Sequence, residues 1–440
     1  MEMGISLLKK INERTPYWVK KPFSKIIRSK LVNNKEFTTT YSKLLNYDTM
    51  NKDEISKLQI EMLRNTLIHA YEHTVYYHRL FDEIGIDIYR DFSFDMLKQI
   101  PTLTKKELKN HFEEILADDI TDSYLVTTGG TTGEPTRVQM EKNAIYREWA
   151  FVYHYWSKFG YDYKSSKLAT LRGVDLGNTL YEVNPLYAEV RLNPFALNDK
   201  TIEEYVKIVD NYGSDFIYGY PSAVYNFCRL AEKKNIDIKG KFQAAFLISE
   251  NLYPFQEELI RRVLDCDIAT FYGHSERAVF AERYGQYYAF NEMYGVTELS
   301  ENNEPIVTGF INEKTPLIRY LVDDQVQVHE NGVDITGHWD GEELIGINGE
   351  RITMTSINFH DDTFKAIKAY QFVQNEAGKC FVKLEADDKL SESEIIDIQS
   401  RIKKKLGKGF KVEVKQVEKI ETTSRGKYKM LINNISGRIE

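Results

Sequence analysis

The chain is 440 residues long, carries a formal net charge of −8, and is 42% hydrophobic and 28% charged. Such a length exceeds a single compact core and implies roughly two to four packing units, and the composition excludes a disordered or fibrous chain. The acidic balance argues against a nucleic-acid binder, whose affinity would come from neutralising phosphates.

Cys228, Cys266 and Cys380 lie far apart and match neither CxxC nor a zinc-ligand spacing. They read as thiols of a reducing compartment. No stretch approaches the roughly 20 apolar residues that span a bilayer, and Lys9 and Lys10 interrupt the start before any signal-peptide core forms. A cytoplasmic location is expected. The 29 tyrosines against 4 tryptophans supply flat faces with polar tips, suited to small-molecule pockets as well as cores.

In chain order, residues 1–50 form a basic N-terminal segment, with Lys9, Lys10, Arg14, Lys20, Lys21, Lys25, Arg28, Lys30 and Lys35 interleaved with Leu7, Leu8, Ile11, Trp18, Phe23, Ile26 and Ile27. Two readings stay open: peripheral contact with the inner face of an anionic membrane, or an apolar stripe packed on the body. Pro16 and Pro22 break a long interfacial helix and favour packing. From 55 to 97 the spacing predicts helix, with Leu58, Met62, Ile68, Tyr71 and Phe81 on recurring faces; His69 sits among them and reads as a packed residue. Apolar runs at 124–128, 167–171, 215–218, 243–248 and 268–272 predict strands. Between them lie a helix with Phe255, Leu259, Ile260, Val263 and Leu264 on one side, and another opened by a Thr201/Glu204 capping box. Short buried strands joined by amphipathic helices imply a mainly parallel sheet covered on both faces, with ligands at the carboxyl ends of its strands. After about 337 the pattern changes to strands at 366–373, 380–384 and 411–414 around a helix capped by Ser391 and Glu394. The expected fold is α/β: a large domain over 51–338 with mainly parallel sheets covered by helices, and a small mobile α+β lid domain over 339–440.

Chemistry concentrates in four segments. Residues 124–136 read YLVTTGGTTGEPT. Glycines let consecutive N–H groups converge on an anion, and the hydroxyls of Thr128, Thr131 and Thr132 add donors beside Gly129, Gly130 and Gly133. No Walker lysine follows. At 271–277, FYGHSER, Tyr272 and Gly273 offer a purine platform, and Glu276 suits magnesium, which takes a carboxylate or two plus phosphate oxygens. At 316–324, PLIRYLVDD, Asp324 can accept from both ribose hydroxyls. Lys427, in TSRGKY, is a mobile point charge on a glycine-hinged loop. His274 and Ser275 lack the GxSxG elbow of a hydrolase.

These segments resemble the adenylate-forming superfamily, and more narrowly its phenylacetate–CoA ligase branch with relatives from capsular-polysaccharide gene clusters. The threonine loop matches [ST]-[SG]-G-[ST]-[ST]-G-x-P; Tyr272, Gly273, Ser275 and Glu276 match Y-G-x-[ST]-E; Arg319, Tyr320 and Asp324 match R-Y-x(3)-D; and Lys427 matches the catalytic lysine. The lead-in over 63–81 and the short elements at 101–105, 218–222 and 249–252 are similar as well. The resemblance implies ATP-dependent activation of a carboxylic acid as its acyl-adenylate, with Mg2+. The threonine loop would hold the β- and γ-phosphates, and Lys427 and Glu276 would be catalytic. Asp340 would be the hinge about which the small domain turns. Transfer would go to coenzyme A or to an amine. The acid pocket is expected among 171–173, 218–222 and 246–250, with Tyr218, Tyr220, Phe246 and Ser249 as lining.

Departures are Glu134 in place of a loop lysine, His338 in place of arginine, and missing acidic residues after 349–352, which bear on coenzyme A as acceptor. Retained Glu276, Asp324 and Lys427 favour an enzyme over a catalytically retired nucleotide binder. The sequence leaves the acid and the oligomeric state open.

Overall fold

The computed structural model describes residues 23–90, 93–127, 136–172, 176–177, 179–322, 324–338, 343–347, 351–353, 367–422 and 428–435. Helices α1 (Ser24–Val32) and α2 (Lys35–Tyr47) open it. Asn34 accepts the N–H groups of Glu36 and Phe37 and so caps α2. Phe37 and Leu44 are fully buried. Arg28, from the basic segment, is also buried and donates to the carbonyls of Tyr163 at 2.6 Å and Leu186 at 2.8 Å.

The long helical run divides in two. Helix α3 (Lys52–His73) starts on an Asn51/Glu54 capping box, and Thr74 turns extended before capping α4 (Val75–Ile84). The buried stripe is Leu63, Leu67, Ala70, Tyr77 and Phe81; Leu58, Met62, Ile68 and Tyr71 flank it, half-buried. Strands β1 (Ser123–Thr127) and β2 (Arg137–Glu141) pair antiparallel with Thr127 opposite Arg137, on either side of the threonine loop. Helix α5 (Ala144–Ser157) follows.

The main sheet is built from β3 (Leu168–Leu171), β4 (Tyr181–Asn184), β5 (Glu189–Leu192), β6 (Phe216–Gly219), β7 (Ala244–Leu247) and β8 (Asp267–Gly273). Antiparallel β9 (Phe280–Tyr284), β10 (Tyr287–Phe290), β14 (Asp324–His329) and β15 (Gly332–His338) extend it. Its order is β14-β15-β10-β9-β8-β7-β6-β3-β5-β4, and β5, β3, β6, β7 and β8 run parallel. Side chains alternate between two cores, as strand geometry requires. Leu168, Phe216, Tyr218, Phe246 and Ala269 face α5 and its Trp156. Ala169, Leu171, Ile217, Leu247 and Ile268 face the other way. That second face is covered by α6 (Ile202–Tyr212), α7 (Pro221–Lys233) and α8 (Pro254–Leu264). A parallel sheet buried on both faces is the expected architecture.

The Thr201/Glu204 box does not form. Thr201 Oγ1 donates instead to the Ala196 carbonyl at 2.7 Å, and the side chain makes no cap bond to α6. A hydroxyl turned back on its own preceding turn is the usual competitor of a cap. A three-stranded sheet of β11 (Gly295–Leu299), β12 (Pro305–Gly309) and β13 (Tyr320–Leu321) lies beside the main one.

Beyond a two-stranded pair, β16 (Glu343–Ile345) and β17 (Arg351–Thr353), the small domain is a four-stranded sheet. It comprises β18 (Ile367–Glu376), β19 (Lys379–Ala386), β20 (Lys411–Val417) and β21 (Leu431–Asn433). Helix α9 (Glu392–Leu406) covers it through Ile398, Ile402 and Leu406 and starts on the Ser391/Glu394 box. Among the described residues, no helix is long and apolar enough to cross a membrane.

Gly219 is where β6 comes closest to β3: a Cβ there would lie 2.1 Å from the Leu171 carbonyl oxygen. Backbone cannot yield as a flexible side chain can. Gly219→Ala should therefore cost about 1–3 kcal/mol of stability, read as a lower denaturant midpoint. An unchanged midpoint would contradict the close approach.

Candidate active site

The parallel strands end in one row. Leu171 pairs with Gly219, Tyr218 with Phe246, and Leu247 with Thr270. One or two residues further on, Arg172, Tyr220, Ser249 and Tyr272 therefore stand side by side at the carboxyl ends of β3, β6, β7 and β8. Neighbouring strands lie about 4.8 Å apart, so this row spans about 14 Å from β3 to β8. Loops at that edge are the usual ligand site of such sheets.

At the β8 end, the Tyr272 hydroxyl donates to Asp324 Oδ2 at 2.6 Å, and His274 Nε2 lies 2.7 Å from the same oxygen. The Tyr272 and His274 rings meet edge-on with centroids 4.7 Å apart. Burial, reinforced by the Asp324 carboxylate, pushes the Tyr272 hydroxyl well above its ordinary range, so it stays a donor. Burial disfavours an imidazolium at His274, but hydrogen bonding and charge from Asp324, aided by Glu276, outweigh it and raise its pKa. Lys105 is close enough to oppose that rise, so the element at 101–105 also reaches this corner. Leu103 bridges β13 there, accepting from Leu321 N–H and donating to the Arg319 carbonyl, both at 2.9 Å.

Glu276 is buried at 6% exposure, and among the described residues its hydrogen-bond donor is Tyr320 OH at a long 3.5 Å. A buried carboxylate so weakly compensated is costly. It fits a hard cation that prefers oxygen ligands, such as magnesium.

Toward β3, Arg172 Nη1 donates to Tyr218 OH at 2.9 Å, and the guanidinium lies 5.2 Å from the Tyr218 ring centroid. Tyr220 is 6% exposed. Phe246 is fully buried, stacked between Trp156 at 4.3 Å and Phe216 at 5.2 Å. It forms the floor beneath the row rather than an open wall. Ser249 adopts φ 65°, an uncommon left-handed conformation for a non-glycine residue, at the turn leading into Glu250. Glu250 Oε2 accepts the Ser222 N–H at 3.0 Å, and Oε1 accepts the Tyr428 N–H at 2.7 Å.

That second bond crosses between domains. Tyr253, at the start of α8, packs into the small-domain core beside Tyr428 and Phe255, and Phe255 lies 5.5 Å from Tyr370. Asp387 pairs with Arg229 at 2.6 Å and Lys233 at 3.0 Å on α7. Tyr428 is the residue after Lys427 in sequence.

The structure thus brings Tyr272, Gly273, Glu276 and Asp324 to one end of the row, and Tyr218, Tyr220 and Ser249 to the rest of it. Thr128, Gly129, Gly130, Thr131, Thr132, Gly133, Glu134, Asp340, 349–350 and Lys427 lie outside the described residues. The β15 backbone at His338 pairs opposite Asp324. Sequence reasoning missed three side chains. Arg172 and Glu250 fell inside segments singled out for the pocket without a role of their own. Arg277 bonds Glu148 on α5 and donates to Tyr124 OH at 3.0 Å, tying the 271–277 segment to the strand that enters the threonine loop.

Comparison with known proteins gives a consistent picture. Residues 344–434 match the family of the CapK C-terminal domain. The chain is 23% identical over 367 residues to Protein CapK of Staphylococcus aureus, covering 77% of this chain and 80% of that one. It is 35% identical over 117 residues to the phenylacetate-coenzyme A ligase of Escherichia coli (strain K12), a match spanning 26% of either chain. Among solved structures, 2-hydroxyisobutyryl-CoA ligase in its postadenylation state shares the fold, with a TM-score of 0.64 at 16% identity over 88% of this chain and 90% of that one. In its thioesterification state, in complex with 2-HIB-AMP and CoA, the TM-score is 0.50 at 16% identity over 88% and 91% of the two chains.

The Asp324–His274 pair has a pH signature. It adds stability that is complete below the ordinary imidazole pKa of about 6.5 and is lost as pH rises through the raised one. An NMR titration should place His274 above the ordinary value, and Asp324→Asn should bring it down. A His274 that titrates at or below 6.5 in the parent chain would contradict the pairing.

Proposed function

We propose that this AMP-forming ligase, a member of the adenylate-forming superfamily in the branch of CapK and phenylacetate–coenzyme A ligase, activates a carboxylic acid at the row of strand ends described above. ATP and the acid would meet there, with adenine against Tyr272 and Gly273 and the ribose hydroxyls donating to Asp324. Tyr272 and His274 hold that carboxylate in place from one side. The loop from Thr128 to Gly133 would hold the β- and γ-phosphates. Glu276 would hold magnesium, which would neutralise phosphate charge.

In this reading one carboxylate oxygen of the acid attacks the α-phosphorus in line. A new P–O bond forms as the bond to the bridging oxygen breaks, and pyrophosphate leaves with that electron pair. The protein's part is positioning and charge stabilisation. Lys427 would stand against the carboxylate and α-phosphate oxygens as charge builds.

The observation that carries the reading is the Glu250–Tyr428 bond. It sets Tyr428, the residue that follows Lys427 in sequence, against the turn that carries Ser249, in the middle of the row between Tyr220 and Tyr272. The higher TM-score against the postadenylation state than against the thioesterification state fits a small domain positioned for adenylation. Rotation about Asp340 would then withdraw Lys427 and admit the acceptor. Coenzyme A is the acceptor suggested by the ligase relatives. The resemblance of the sequence motifs to relatives from capsular-polysaccharide gene clusters makes an amine acceptor in surface-polysaccharide synthesis the second reading.

Pyrophosphate release across an acid panel, run with coenzyme A, with amino sugars and with neither, tests both steps. Lys427→Ala should lower acid-dependent pyrophosphate release by about 10²–10³-fold while leaving ATP affinity largely intact. Unchanged turnover would remove Lys427 from the mechanism. Bound nucleotide with no release for any acid would identify a retired binder.

A further inference from the structure

We propose, building on the acid-activating reading above, that Arg172 is a specificity-determining residue that selects an acid bearing a second anionic group. Arg172 follows β3 and points to the same sheet face as Tyr218, with which it bonds and stacks. Tyr220 also hydrogen-bonds it. Both partners are phenols, and burial pushes the Tyr218 hydroxyl up, so it remains neutral. They orient the guanidinium without cancelling its charge.

The nearby carboxylate, Glu189, is taken up elsewhere. It accepts from Arg191 Nε at 2.7 Å, Thr170 Oγ1 at 2.7 Å and Asn184 Nδ2 at 2.9 Å. Among the described residues, Arg172 has no ion-pair partner. A half-buried guanidinium held by neutral groups is poised for an anion, and its planar fork suits a carboxylate or phosphate.

Position says which anion. ATP is assigned to the β8 end, three strand spacings or about 14 Å from β3. The reacting carboxylate belongs near β7 and Tyr428, two spacings or about 10 Å from it. Arg172 is therefore matched to the far end of the acid, and Trp156, Tyr218 and Tyr220 form the aromatic stretch between. An unbranched or aromatic diacid fits this layout, as does an acid ending in a phosphate.

Isothermal titration of the full chain tests this with probes paired by carbon number: adipate against hexanoate, and 4-carboxyphenylacetate against 4-methylphenylacetate. The parent chain should bind the doubly charged member of at least one pair about tenfold or more tighter. Arg172→Gln should erase that preference and leave ATP affinity within about twofold, while Arg172→Lys, which keeps the charge, should retain part of it. Equal binding of both members by the parent chain, or a loss in Arg172→Gln that is the same for both, overturns the proposal. A parallel loss of ATP affinity does so too, because it places Arg172 on phosphate. Pyrophosphate release separates the two levels: selective binding without release keeps the role of Arg172 and sinks adenylation, whereas release with no charge preference does the reverse.

Discussion

One carboxylate joins the two halves of this molecule. Glu250 accepts a backbone N–H from Ser222, at the start of α7, and another from Tyr428 in the small domain. Hydrogen bonds to an ionised acceptor are among the stronger ones a protein makes, and backbone donors leave no side-chain freedom to absorb misplacement. Among the described residues, this pair of bonds registers the small domain against the strand-end row. Tyr253 and Phe255 supply the apolar contact around it, and Asp387 adds charge pairing with Arg229 and Lys233. Such a contact is specific but limited, as contacts between domains of one chain commonly are.

The row itself follows from the two-sided burial of the sheet. Because β3, β6, β7 and β8 are parallel and packed on both faces, their register is fixed by which residues each core accepts. A slip by one residue would send Tyr218 and Phe246 away from Trp156 and into the core of α6, α7 and α8. Fixing the register also fixes what emerges at the carboxyl ends: a cation at β3, a phenol at β6, a strained serine turn at β7 and an aromatic at β8. The Asp324 cluster closes the β8 end from a different part of the sheet, since Asp324 begins β14, at the far edge of the main sheet. Chemistry and core packing are two readings of one alternation.

Much of this was legible in the sequence where burial is nearly complete. Fully buried strands such as β6 and β7 announce themselves as short apolar runs, and the Ser391/Glu394 box marks α9 because both partners sit at the surface and bond each other reciprocally. The fold class followed from those runs, and the resemblance to the adenylate-forming superfamily from the order and spacing of the motifs. The antiparallel extension through β9, β10, β14 and β15 was less visible. Buried residues such as Phe280, Ala281 and Glu282 stand beside half-exposed ones, and polar and aromatic types mix without a clear period. Thr201 shows the limit of a local rule, because a carbonyl five residues back competed for its hydroxyl. Phe246 shows another: an aromatic near a strand end can be floor or wall, and only the neighbouring α5 decides. Arg172 and Glu250 carried no motif of their own, because their roles depend on strands and a domain far away in sequence.

The most direct measurement is a crystal structure of the chain with a non-hydrolysable acyl-sulfamoyl adenosine. Its adenine should lie on Tyr272 and its ribose hydroxyls on Asp324. The sulfamoyl group would lie beside Ser249 and Tyr428, and the acyl chain would run toward Tyr220 and Arg172. An analogue bound in any cavity away from the ends of β3, β6, β7 and β8, or lying across the row in the opposite direction, would contradict this placement.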